Sequence, residues 1–237
     1  MNRMRKLIRW TLMLTLQLAA SAAFAFDFEI DRIRLDLSMD QPVQGMRIKN
    51  NSDKTAVNLQ VTSMSWKQEN GKDIYTPTTD LIVAPSVMTI PPTRAQIMRI
   101  GWRSPTPVLD EIAYRVYVQQ LNAAALNTRI GVQFKLSLGV PVFIKPAQPI
   151  YQYNWIVKRG SGGFSVTFQN TGNVHIQISR LELFDAQNKS LGVYTTPYYV
   201  LAKQSREVLV PGTGGGNSVK IMASTDYQPL VSEVNVT

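Results

Sequence analysis

The stretch Arg129-Ile-Gly-Val-Gln-Phe-Lys-Leu-Ser-Leu-Gly-Val-Pro-Val-Phe-Ile144 decides how this chain is read. Its even positions, Ile130, Val132, Phe134, Leu136, Leu138, Val140 and Val142, form an unbroken apolar row. The odd positions through Pro141 are Gly, Gln, Lys, Ser, Gly and Pro. Side chains alternate between the two faces of a strand, so this segment is predicted to be one strand with a wholly apolar face. It is far longer than the usual five or six residues or so. The end near Val140–Ile144 reads as core. The upstream part extends an apolar row that another protein could accept, and an exposed edge of that kind is an aggregation hazard unless its purpose is to pair.

The rest of the chain has the same texture. Phe26 to Leu37 alternates apolar with polar residues, placing Phe26, Phe28 and Ile30, then Ile33, Leu35 and Leu37, on inward faces with one phase change between them. That change predicts a bulge or a strand that switches sheets. Further strands are expected over 43–49, 56–66, 96–102 and 112–121. Turn chemistry separates them, at Asn50-Asn51-Ser52-Asp53, Glu69-Asn70-Gly71-Lys72 and Pro91-Pro92. Lys145-Pro-Ala-Gln-Pro149 breaks the pattern and reads as a hinge. Strands resume over 151–158, 163–170, 175–184, 191–200, 206–210, 218–224 and 232–236. No segment has a sustained helical period, so the expected class is all-β, with one sandwich on each side of the hinge. The expected limits are 26–146 for the first domain and 147–237 for the second.

Composition narrows the function. The 237 residues include no cysteine and one histidine, which removes disulfide frameworks, thiol nucleophiles and Cys- or His-rich metal sites. The net charge of +9 is partly an address label. Residues 1–25 combine a basic start, an apolar stretch from Trp10 to Leu18, and the small-residue site Ala23-Phe24-Ala25, and so read as a cleavable signal peptide. Without Arg3, Arg5, Lys6 and Arg9 the remainder carries 21 basic against 16 acidic residues, or +5. The expected location is the periplasm, with cleavage after Ala25 and no membrane insertion, since no later apolar run reaches spanning length.

Catalytic chemistry finds little support. His175 follows the turn Asn170-Thr-Gly-Asn173 and opens an apolar strand, and no Gly-x-Ser-x-Gly elbow exists to pair with it. It reads as a turn or strand-edge residue. The glycine clusters at 160–163 and 212–216 lack the Lys-Ser/Thr of a phosphate loop and read as turns. The basic residues are dispersed, which argues against nucleic acid as a partner.

Arg32-Ile-Arg34, Ile90-Pro-Pro-x-x-x-Gln96-Ile-Met-Arg99-Ile100, Glu111-x-x-Tyr114-Arg115-Val116 and Pro141-Val-Phe-Ile-Lys-Pro146 together resemble the periplasmic pilus-assembly chaperones of the PapD-like family, chaperone–usher type. Tyr-Arg at 114–115 is similar to the archaic and alternative branches. The resemblance implies two immunoglobulin-like sandwiches in a boomerang and a chaperone that is not an enzyme. Its partners would be a pilus subunit (pilin), stabilised by donor-strand complementation, and an outer-membrane usher that receives it. No cofactor, metal or ATP is implied.

Carried onto this sequence, the resemblance makes Ile130, Val132, Phe134, Leu136 and Leu138 the donor-strand plugs. Arg34, Arg115 and Lys135 become the anchors of the subunit's C-terminal carboxylate. A guanidinium suits that task through bidentate, charge-assisted hydrogen bonds. The family lysine near the end of this strand is replaced by Pro141, which is why Arg115 and Lys135 enter the set. Glu111, Lys145 and Asp226 fall where the family places interdomain ion pairs. The short connection Leu121–Thr128 resembles the branch that assembles pili and not thin capsule-like fibres. The competing readings are a structural pilus subunit or adhesin, which would be a single incomplete domain, and a secreted glycan-binding sandwich.

Overall fold

The structure is a computed structural model and describes residues 28–121 and 136–237. Among these residues the chain forms eighteen strands and no helix. The first ten are β1 (Phe28–Ile30), β2 (Leu35–Leu37), β3 (Val43–Asn50), β4 (Val57–Glu69), β5 (Lys72–Pro77), β6 (Leu81–Ala84), β7 (Val87–Ile90), β8 (Ala95–Trp102), β9 (Ile112–Gln120) and β10 (Ser137–Ile144). They make two facing sheets, ordered β1-β3-β8-β6 and β2-β10-β9-β4-β5, with β7 also on β4. The next eight are β11 (Tyr153–Gly160), β12 (Gly163–Asn170), β13 (Ile176–Phe184), β14 (Ser190–Tyr194), β15 (Tyr198–Val200), β16 (Ser205–Pro211), β17 (Ser218–Thr225) and β18 (Leu230–Asn235). Their sheets run β11-β12-β16 and β14-β13-β17-β18, with β15 on β13. Each half has its own apolar core, one around Leu37, Met46, Ile100 and Val142, the other around Phe164, Phe168, Leu183 and Ile221.

The phase change in the first strand is a sheet switch. β1 pairs with β3 in one sheet, and β2 runs parallel to β10 in the other, with Val142 opposite Leu35 and Ile144 opposite Leu37. Phe28, Leu35 and Leu37 are buried as the alternation requires, but Ile33 is not. It lies in the crossover and is 84% exposed, because a chain passing between sheets belongs to neither face.

Two other expectations need correction. The segment 191–200 is two strands, β14 and β15, separated around Pro197, whose missing N–H cannot serve a ladder. β5, β6 and β7 lie outside the expected strands: β5 is mostly polar, and β6 and β7 are largely apolar but only four residues each, on either side of Pro85 and Ser86. The Asn70-Gly71 turn between β4 and β5 has both φ angles positive, 52° and 74°, the geometry of a tight primed hairpin.

Both sandwiches fasten a turn with a buried asparagine. Asn50 Nδ2 donates to the carbonyls of Thr55 and Ile90 (2.8 and 2.9 Å), and its Oδ1 accepts from Ser52 N–H. Asn170 Nδ2 donates to the carbonyls of Val174, Val200 and Leu201 (2.7, 3.1 and 3.0 Å), and its Oδ1 accepts from Gly172 N–H. Buried carbonyls left without donors are costly, so Asn170→Ala is expected to lower the stability of the second sandwich by at least about 2 kcal/mol, measured by urea unfolding. A loss within experimental error would contradict this account of the turn.

Candidate functional site

The site is built around β10. Gln120 N–H donates to the Leu136 carbonyl at 3.0 Å, and the register sets Ser137 opposite Gln119 through Ile144 opposite Ile112. Even-numbered residues of β10 therefore exchange hydrogen bonds with β9, and odd-numbered residues turn their backbone groups the other way. Lys145 N–H, which donates to the Leu37 carbonyl at 2.8 Å, follows the same parity. β2 covers that outer edge from the Pro141 carbonyl onward, and among the described residues no strand covers it from Ser137 to Val140. Ser137 and Gly139 thus present N–H and C=O groups to an open edge, while Pro141 has no N–H and its carbonyl faces Leu35 at the start of β2. Leu136 and Leu138 are half-buried and pack on the rim of the first core. Ile130, Val132, Phe134 and Lys135 lie outside the described residues.

On the opposite face of β10 a cation sits in an aromatic cradle. Arg115 lies opposite Pro141, with its guanidinium carbon 4.5 Å from the centre of the Trp66 ring and 5.3 Å from that of Tyr75. Its Nε is buried without a hydrogen-bond partner. No carboxylate among the described residues lies within ion-pair distance of it. Gly139 leaves it room, since a Cβ there would fall 3.1 Å from Arg115 Cδ and from Tyr117 Cε1. Burial pushes the Tyr75 phenol up to about 12, against the opposing charge of Arg115.

Beside this cradle the two sandwiches touch. Trp66 and Phe143 from the first pack against Tyr199 and Leu201 from the second, with ring centroids 5.3 to 5.9 Å apart. Gln68 spans the contact, donating to the Tyr199 carbonyl and accepting from Leu201 N–H, both at 2.9 Å. Asp73 accepts from Trp66 Nε1 (2.9 Å) and reaches Arg206 of the second sandwich at 3.4 Å.

A polar cavity of about 140 Å³ adjoins this contact, with Arg34, Glu111, Lys145, His175, Asp226 and Tyr227 among its lining. Arg34 donates to Asp226 at 2.5 Å and lies 3.5 Å from Asp36. Glu111 and Asp226 are joined through His175, whose Nδ1 is 2.6 Å from Glu111 Oε1 and whose Nε2 is 3.2 Å from Asp226 Oδ2. Lys145 pairs with Asp36 at 3.2 Å and with neither of the other two expected partners. Arg34, expected as a free anchor, is therefore held within the interdomain network.

Sequence reasoning passed over His175, Asp36 and Phe143. His175 sits 64 and 51 positions from its two partners, and no local pattern announces such contacts. Its position at the start of an apolar strand was the sole hint, and that hint suits a strand edge equally well. Among the described residues no group of His, Asp and Glu is arranged to hold a metal ion.

Comparison with known proteins places this arrangement. Residues 27–149, just over half of the chain, match the family described as pili and flagellar-assembly chaperone, PapD N-terminal domain, and the chain belongs to that family. Solved structures of the same fold include one from the CsuC–CsuE chaperone–tip adhesion subunit pre-assembly complex of the archaic Csu pili of Acinetobacter baumannii. It has a TM-score of 0.67 at 19% identity over 89% of this chain and 99% of that one. The Salmonella enterica SafA pilin–SafB chaperone complex contributes another, with a TM-score of 0.63 at 10% identity over 90% and 99%. The Pseudomonas aeruginosa CupB2 chaperone aligns with a TM-score of 0.57 at 16% identity over 88% and 100%. No curated protein sequence matches the chain.

Phe143 is the shared wall of the aromatic contact and the polar cavity, stacked on His175 with centroids 3.6 Å apart and planes 14° from parallel. Phe143→Ala is expected to cost about 3 kcal/mol or more and to separate the unfolding of the two sandwiches into two transitions, read by calorimetry. A single transition at an unchanged midpoint would contradict the role given to this side chain.

Proposed function

We propose that this protein is a periplasmic chaperone that binds a pilus subunit by adding β10, extended upstream through the apolar row, to the subunit's incomplete sheet, and then passes it to an outer-membrane usher. The observation that carries the reading is the open edge at Ser137 and Gly139, continuous in sequence with the row Ile130, Val132, Phe134, Leu136 and Leu138. Backbone pairing along such an edge supplies affinity for many related subunits, and alternate side chains supply fit. Structures of the same fold in complex with a tip subunit and with a pilin support the partner class.

The carboxylate-anchoring roles divide between two environments. Arg115 is the stronger candidate, since no carboxylate among the described residues pairs with it and Trp66 and Tyr75 hold its plane. Arg34 could take a subunit carboxylate only in exchange for Asp226. Lys135 shares the parity of the odd-numbered edge and completes the set. The proposal also includes a signal peptide at 1–25 cleaved after Ala25, domain limits of 26–146 and 147–237, and an interdomain role for Glu111, Lys145 and Asp226. The mechanism calls on no catalytic residue, metal, cofactor or ATP. Handover can be driven by the better fit of the strand that later fills the subunit's groove.

Phe134→Asp tests the donor row, because placing a carboxylate in an apolar groove costs several kcal/mol of desolvation. Co-purified subunit is expected to fall by more than about tenfold with circular dichroism of the chaperone unchanged. Subunit retained at the original level would sink the donor-strand assignment.

A further inference from the structure

We propose that His175 is a positioning residue: as an imidazolium held between Glu111 and Asp226 it clasps the second sandwich to the base of β10, and loss of its proton at raised pH releases the angle between the sandwiches. Its significance for subunit capture rests on the donor-strand reading given above.

The geometry suits a ring in which both nitrogens donate. Nδ1 faces Glu111 Oε1 and Nε2 faces Asp226 Oδ2, and both acceptors are carboxylate oxygens. A neutral imidazole has one N–H, so it would turn a lone pair toward one carboxylate. Glu111 comes from the first sandwich, and His175 and Asp226 from the second, so the doubly donating ring ties the two together. Glu111 Oε1 also accepts His175 backbone N–H at 3.0 Å.

Charge balance points the same way. From the first sandwich, Arg34, Asp36, Glu111 and Lys145 surround the ring or its partners; from the second come Asp226 and Tyr199, with Tyr151 from the linker and Tyr227 beside Asp226. Three carboxylates face two fixed cations, and an imidazolium makes the numbers equal. The Glu111 side chain is 1% exposed, and its Oε2 is buried with no hydrogen-bond partner, so His175 is the ion partner of this carboxylate among the described residues. A buried carboxylate deprived of its counter-charge is strongly destabilising.

The titration has a definite sign. Burial pulls the His175 value down, but the hydrogen bonds and charges of Asp226 and Glu111 outweigh it and leave it above the ordinary 6.5. Burial pushes Asp226 up, but hydrogen bonds from His175 and the Gln177 N–H, with the charges of His175 and Arg34, bring it below its ordinary 3.8. The imidazolium contribution is complete below the unfolded-state value and is lost as pH rises through the raised folded value. The Asp226 contribution is lost only in acid, as pH falls through its lowered value. The clasp therefore opens on the alkaline side.

Phe143 connects the clasp to function. Its ring stacks on His175, and it lies two positions from Pro141, where the open edge ends. Movement of the ring is thus felt at the base of the proposed donor strand.

The chain has one histidine, so its imidazole resonances are unambiguous. The test uses the full mature chain without subunit, followed by nitrogen NMR and small-angle X-ray scattering from about pH 5 to about pH 9. Both ring nitrogens are expected to be protonated at the acid end, with a midpoint above 6.5. The scattering profile is expected to change at that same midpoint. In His175→Gln the profile should show no such step, and Asp226→Asn should lower the midpoint by about one unit or more. A neutral imidazole near pH 6, or a profile identical on both sides of the midpoint, overturns the proposal. Should His175→Gln fail to fold, the wild-type titration and Asp226→Asn still decide it. Capture of subunit should weaken across the midpoint in the wild type. If the clasp titrates and the profile shifts, yet no subunit is captured at any pH, the clasp stands and the donor-strand reading is what fails.

Discussion

The alternation of side chains along β10 is the constraint on which the other features depend. A strand has two faces and a period of two, and β10 uses both faces for burial. Val140, Val142 and Ile144 enter the core of the first sandwich, while Phe143 enters the aromatic contact with the second. A slip of one residue would send Phe143 into a space shaped for valine and leave Trp66 and Tyr199 without their neighbour. The register of β10 is thus fixed from its base by two independent packings. That fixed base is what allows the upstream edge to remain open without sliding, although an open edge would otherwise be a liability.

The cations of this region fall into two kinds, and the difference is one of partners. Arg34 and Lys145 are committed to Asp226 and Asp36, so their charges are largely spent within the protein. Arg115 is held by ring faces, which orient a guanidinium without neutralising it. A cation kept in place by quadrupoles retains its capacity for a carboxylate, whereas one held by an ion pair must first give up a bond. Arg115 thus adds to the excess positive charge of the chain a cation that is buried at its Nε and not paired with a carboxylate among the described residues.

Much of the fold was legible because alternation and turn chemistry are local. Phe28, Leu35 and Leu37 went where their parity sent them, the phase change between β1 and β2 marked a real change of sheet, and Asn70-Gly71 turned where it should. Ile33 went astray because alternation continues to be written through a crossover in which no sheet exists to receive it. β5 escaped notice because it is mostly polar, and β6 and β7 because four largely apolar residues beside a proline are too short a run to show alternation. The interdomain network was legible only in part. Glu111 and Asp226 could be placed by family resemblance, but the ring that joins them could not, since its partners are brought near solely by the meeting of two separately folded sandwiches. Lys145 illustrates the same limit: it lines the same cavity as Glu111 and Asp226, but the geometry pairs it with Asp36.

Pro141 gives the open edge its end. In the middle of a sheet a proline removes a ladder hydrogen bond, and here it stands where the outward groups of β10 pass from free to paired. Below it, from Val142, β2 occupies the edge in parallel; above it, Gly139 and Ser137 offer both donor and acceptor. A strand aligned along the open edge finds no N–H at Pro141, whose carbonyl already faces Leu35 of β2. The proline at this position therefore has a structural consequence of its own. It ends the run of outward N–H groups at the base, and Arg115 lies directly across from it on the same face of the sheet.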